Sequence, residues 1–90
     1  MLSENKDVKE LYSLILLLET VEDCDYLFED LCTAKELEQM AQRVKAAKLL
    51  LEGKTYNQVM ELCEISSATL SRVSRCVQYG NGYKRFLKID

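Results

Sequence analysis

Two helix starts crowd into the stretch TYNQVMELCEISSATLSR, residues 55–72, and only a sharp corner fits between them. Thr55-Tyr56-Asn57-Gln58 is a capping box: the Thr55 hydroxyl can accept from the Gln58 amide while the Gln58 side chain reaches back. The short helix that it opens carries Val59, Met60, Leu62 and Cys63 on its inward side. The chain then turns at Glu64-Ile65 with Ile65 directed inward. Ser66 caps a second helix to about Gln78, whose buried stripe is Leu70, Val73 and Val77. Helix, three-residue corner and Ser-capped helix form the plan of a helix-turn-helix. An ordinary helical hairpin in a bundle accounts for the caps equally well. It does not account for Ser66-Ser67-Ala68-Thr69, small residues that make a poor exposed surface but give close access to a groove.

The same reading extends to the rest of the chain. Thr33-Ala34-Lys35-Glu36 is another capping box and begins a long helix with Leu37, Met40, Ala41, Val44, Ala47 and Leu51 as its apolar stripe. Gly53 is placed to end that helix in a left-handed conformation. Upstream, Ser3 or Asn5 can cap a first helix to about Glu19, with Val8, Leu11, Tyr12, Ile15 and Leu18 at helical spacing and Leu14, Leu16 and Leu17 on the opposite side. A helix apolar nearly all round has to be covered on several sides. With only 90 residues available, the cover is expected from a second copy of the chain. A second helix is read over about Glu22 to Leu31, and Tyr83 to Leu87 could add one last turn after the Gly80 and Gly82 break. The chain has no proline and three glycines, so helix is favoured nearly everywhere and the fold class is all-α. The expected organisation is a single helical domain over residues 1–90. It comprises dimerisation helices over 1–32, a long central helix over 33–52, the helix-turn-helix over 55–78 and a C-terminal tail over 79–90.

Net charge is −3, but its distribution is uneven. Residues 1–38 carry three lysines (Lys6, Lys9 and Lys35) against eleven acids, whereas residues 39–90 carry nine Lys or Arg against four acids. The half that holds the corner is therefore basic, and a local basic face matters more to nucleic acid than the total does. The chain has no histidine, and its four cysteines, Cys24, Cys32, Cys63 and Cys76, include no C-x-x-C pair. They read as small apolar core residues rather than metal ligands or disulfides. With no Gly-rich phosphate loop and no carboxylate pair in an apolar setting, no catalytic residue, metal or cofactor is expected, and an enzyme is the least suited class. No stretch approaches the ~20 apolar residues that span a bilayer, and Met1-Leu2-Ser3-Glu4 is not a signal peptide. A cytoplasmic protein without a membrane partner is expected.

The segment TAKELEQMAQRVKAAKLLLEGKTYNQVMELCEISSATLSR resembles the core of the Trp repressor family, specifically its YerC/YecD-like branch, and RCVQYGNGYKRFL resembles that branch's tail. The first thirty or so residues match mainly in helix length and apolar character. The resemblance implies an intertwined helical dimer whose subunits interlock through their first helices. It also implies sequence-specific DNA binding and, in the name-giving members, control by bound tryptophan. Arg43 and Arg72 fall where the family places the two arginines that sandwich the indole, and Thr33 matches a threonine near the ligand carboxylate. Val73, however, stands where the tryptophan-responsive members carry glycine, and Cys76 replaces a serine. The slot reads as filled, tryptophan is not expected as the effector, and the small molecule, if one exists, stays unknown. Phosphate contact or interface pairing is then the favoured role of Arg43 and Arg72.

The expected function is a sequence-specific transcription regulator, acting as a repressor and as a homodimer on a two-fold symmetric operator in double-stranded DNA. Ser67, Ala68 and Ser71, with Thr69 alongside, would face the base edges. None of them makes the strong bidentate base contacts of Arg, Lys, Asn or Gln, so direct readout is thin. Such thinness agrees with the water-mediated contacts of the Trp repressor's own operator complex. Affinity would come from phosphate contacts by Lys54, Tyr56, Asn57, Arg72 and Arg75, with Lys45 and Lys48 as weaker candidates. The rival reading is a dimeric protein-interaction module that uses the helix-turn-helix without a DNA site of its own.

Overall fold

The computed structural model describes residues 1–87. Lys88 to Asp90, the last residues of the expected tail, lie outside them. The described residues are helical, and they fall into two compact units, Met1–Thr33 and a second that begins at Ala34.

The first unit opens with a 3-10 turn over Leu2–Glu4 and continues into α1, Lys6–Ile15. Asn5 caps α1: its side chain accepts from the amides of Asp7 and Val8. The helix stops well before Glu19, contrary to the sequence reading. Leu17 and Leu18 donate back only three residues, to the Leu14 and Ile15 carbonyls, which tightens the final turn. Thr20 is then needed in an extended conformation to cap α2, Val21–Leu31, and the chain cannot remain helical through it. The Thr20 hydroxyl accepts from the Asp23 amide, and the Asp23 carboxylate accepts from the Glu19 N–H at 3.0 Å. Of the run Leu14–Leu18, only Leu14 and Ile15 are therefore in α1, while Leu16 and Leu17 are 82% and 72% exposed. No residue of α1 or α2 is buried.

The second unit contains the core. Its long helix α3, Ala34–Leu51, ends in two reversed bonds, Gly53 N–H to the Leu50 carbonyl and Lys54 N–H to the Leu49 carbonyl, with Gly53 at φ 96°. This is the left-handed helix end for which glycine is suited. α4, Tyr56–Leu62, begins with the complete Thr55–Gln58 capping box, and Ser66 caps α5, Ser67–Tyr79. A short α6, Gly82–Phe86, follows after Gly80. At Gly80 a Cβ would come within 2.6 Å of the Cys76 carbonyl oxygen, so the close return of the chain there excludes a side chain.

Ala46, Ala47, Val59, Cys63, Leu70, Val73 and Val77 form the buried cluster, with Leu49, Leu50, Leu51, Met60, Ile65, Tyr83 and Leu87 packed around it. The inward side of α5 matches the stripe read from sequence. That of α3 matches it only in part, at Ala47 and at Leu51, which packs against the cluster. Ala46 and Ala47 are its buried residues, whereas Leu37, Ala41 and Val44 are exposed. Cysteine burial also departs from the expectation: Cys63 is buried, Cys32 and Cys76 are half-buried and Cys24 is exposed. Among the described residues, no helix is long and apolar enough to cross a membrane.

Gly53 gives a direct test of this helix end. A Cβ there meets nothing within 4 Å, so the cost of Gly53→Ala is backbone strain alone. Thermal or denaturant unfolding should show a loss of about 1–3 kcal/mol, and an unchanged midpoint would contradict the left-handed assignment.

Candidate nucleic-acid interface

α5 owes its orientation to the spacing of its apolar residues. Leu70, Val73 and Val77 recur at three and four positions and are all buried, which turns the opposite side of the helix outward. Ala68, Ser71, Arg72, Arg75, Gln78 and Tyr79 are exposed on that outward side, and Ser67 is exposed at its start. The two arginines and Tyr79 line one open cleft of about 320 Å³ together with Cys76 and Gly80. Small residues thus occupy the first turn and cations the next two, a distribution suited to bases in the middle and phosphates around them. Gln78 and Tyr79, exposed on the same side, extend it beyond Arg75, the last residue that the sequence reading names. The three- and four-residue spacing from Arg75 could have found them.

The other named side chains fall into two groups. Lys54, Asn57 and Lys48 are exposed and point to no internal partner among the described hydrogen bonds. Tyr56, Thr69 and Lys45 are engaged inside the unit. The Tyr56 hydroxyl donates to the Ser67 carbonyl at 2.8 Å, linking the start of α4 to the first turn of α5. The Thr69 amide donates to Ser66 Oγ at 3.1 Å, and the Ser66 hydroxyl donates to Thr69 Oγ1 at 2.9 Å, so Thr69 is part of the cap. Lys45 Nζ donates to the Leu62 carbonyl at 2.9 Å, satisfying one of the carbonyls that the end of α4 leaves without a helical partner. One residue group was not foreseen at all. Gln42 Oε1 accepts the Glu64 N–H at 2.9 Å, in the corner itself.

Arg43 and Arg72 do come together. They line one cavity of about 370 Å³ with Thr69, Val73, Cys76 and Tyr83. Val73 is 2% exposed and belongs to the core, yet it also forms part of the cavity wall, so the slot that reads as filled in the sequence is narrowed by Val73 and not closed. α6 supplies Tyr83 to this wall. Thr33 lies in the first unit, at the residue before α3. Among the described residues, no group of His, Cys, Asp and Glu could hold a metal ion.

The fold and the sequence are shared with known proteins of one family. The Trp repressor protein family matches residues 6–89. YerC of Bacillus subtilis is 43% identical over 76 residues, covering 84% of this chain and 73% of its own. A crystal structure of a TrpR-like protein from Eubacterium eligens superposes with a TM-score of 0.85 at 39% identity, over 92% of this chain and 87% of that one. A second, from Staphylococcus aureus, gives a TM-score of 0.85 at 39% identity over 93% and 88%. The chain belongs to the Trp repressor family, close to YerC, a family of DNA-binding transcription regulators and not of enzymes.

Proposed function

We propose that the protein is a sequence-specific transcription repressor that acts in the cytoplasm as a homodimer, binds a two-fold symmetric DNA site through α4 and α5, and does not respond to tryptophan. The observation that carries the reading is the two-sidedness of α5, with Leu70, Val73 and Val77 buried and the small and basic residues outward. Ser67, Ala68 and Ser71 meet the base edges in the major groove. Arg72 and Arg75, with Lys54 and Asn57 from the preceding segments, hold the phosphates. Tyr56 contributes through its link to Ser67 more than through a phosphate, because a phenol has one O–H to donate.

The homodimer is supported by the apolar residues that the single chain leaves uncovered. Leu14, Leu16, Leu17 and Leu31 are exposed in the first unit, and Leu37 and Val44 on α3. Sedimentation analysis should find a dimer down to micromolar concentration. Ile15→Asp should abolish it, since an unpaired charge placed in an apolar contact costs several kcal/mol. A folded wild-type monomer at that concentration would overturn the homodimer.

Groove entry has its own test. Removing Arg75 should weaken binding to all sequences alike and flatten the salt slope by about one unit. Ala68→Glu should behave differently, placing a carboxylate among base edges and phosphates. Because Ala68 is exposed, its melting temperature should stay at the wild-type value while binding is lost. If that variant still shifts DNA selected in vitro, Ala68 is not in the groove. If wild type selects no sequence at low salt, the protein-interaction module replaces the DNA reader.

Tryptophan is the third test. Val73 replaces the glycine of the responsive members and walls the Arg43–Arg72 cavity. Calorimetric titration with L-tryptophan should show no saturable binding at millimolar ligand, and Val73→Gly should restore some. Binding by wild type that Val73→Gly does not improve would defeat the steric argument.

A further inference from the structure

We propose that Gln42, Lys45 and Tyr56 form a three-point clamp that sets the direction of α5, making them positioning residues for sequence selectivity. The proposal rests on the DNA-reading function above. The three contacts bracket the corner. Lys45 Nζ holds the Leu62 carbonyl at the end of α4, Gln42 Oε1 holds the Glu64 N–H within the turn, and the Tyr56 hydroxyl holds the Ser67 carbonyl on the first turn of α5. Gln42 and Lys45 are three residues apart on α3, so both reach the corner from one side of the same rigid helix.

Each contact is made to main chain, which is why it fixes geometry. The last helical bond of α4 is Cys63 N–H to the Val59 carbonyl, so the Glu64 N–H lies beyond the ladder and has Gln42 as its partner. Leu62 ends α4, and its carbonyl is one that no later amide of the helix can reach. Both groups are at the surface, where water can replace a lost side chain, so the clamp adds little to stability and much to direction. A tilt of about 10° at the corner would move Ser71, about 6 Å along the axis from the start of α5, by about 1 Å. Productive contacts tolerate about 0.5 Å. With Ser67, Ala68 and Ser71 as its base-facing residues, α5 has no bidentate contact to correct such an error.

The clamp also gives Lys45 a role opposed to that of a phosphate anchor, and the two differ in measurement. Wild type and the variants Gln42→Leu, Lys45→Met and Tyr56→Phe would be titrated with the duplex selected in vitro by wild type and with a scrambled duplex, across a salt series. The expected result is at least a tenfold fall in the preference for the selected duplex, with circular dichroism melts and the salt slope unchanged. Lys45→Arg and Gln42→Glu, which keep the donor and the acceptor, should retain most of the preference. A readout without DNA is amide hydrogen exchange: the Glu64 N–H should exchange faster in Gln42→Leu than in wild type. If Lys45→Met weakens both duplexes equally and flattens the salt slope by about one unit, Lys45 is a phosphate anchor and the clamp is overturned. Unchanged Glu64 exchange in a folded Gln42→Leu protein overturns it as well. If wild type selects no duplex, the DNA-reading function fails by itself, and Glu64 exchange then decides the clamp.

Discussion

The close approach of α3 to α5 is the contact on which the second unit depends. Ala46 and Ala47 are both fully buried, and neither has a side chain beyond Cβ, which suits a close approach of α3 to α5, whose Leu70 and Val73 belong to the same buried cluster. Tight packing of this kind leaves no room for larger residues at those two positions. It also decides what can happen one turn away. Gln42 precedes Ala46 by four residues and so lies on the same side of α3, which brings its amide to the Glu64 N–H. The corner is thus held by side chains whose reach is set by two alanines.

Local signals in the sequence carried much of this fold. Caps act over three residues, and the Thr55 box, the Ser66 cap and the Gly53 stop are found where the residue types place them. The stripe of α5 was legible because that helix has a single apolar side. α3 has more than one, and nothing in a single chain says which of them its own core uses. Leu37 and Val44 carry the periodicity of a buried face and are exposed, while Ala47 of the same stripe and Ala46 beside it make the core contact. α1 was read too long for a related reason. Leu14–Leu18 suits a helix residue by residue, whereas Thr20 has to be extended to cap α2.

Legibility of the interface divides in the same way. The outward residues of α5 follow from its inward ones, and only Gln78 and Tyr79 were left out. Gln42 leaves no signal in the sequence, and Lys45 reads there only as a weak phosphate contact, because their partners are a main-chain donor 22 residues away and a main-chain acceptor 17 residues away. Any residue type supplies a carbonyl or an N–H, so such contacts leave no mark on composition or spacing. Tyr56 reads from the sequence as a phosphate contact. The bond to the Ser67 carbonyl directs its hydroxyl inward to α5.

Arg72 is the residue at which the two sides of the site meet. It lines the cavity with Arg43 and Tyr83, and it lines the open cleft with Arg75 and Tyr79. Its guanidinium is a planar, always-charged fork of donors, and in one conformation the residue borders both spaces. The charge that it adds beside Arg75 is thus the same charge that stands with Arg43 across the cavity. α6 borders the cavity through Tyr83, which does not line the cleft. The short helix after Gly80 thus helps to frame the cavity, while its Lys84, Arg85 and Phe86 are exposed.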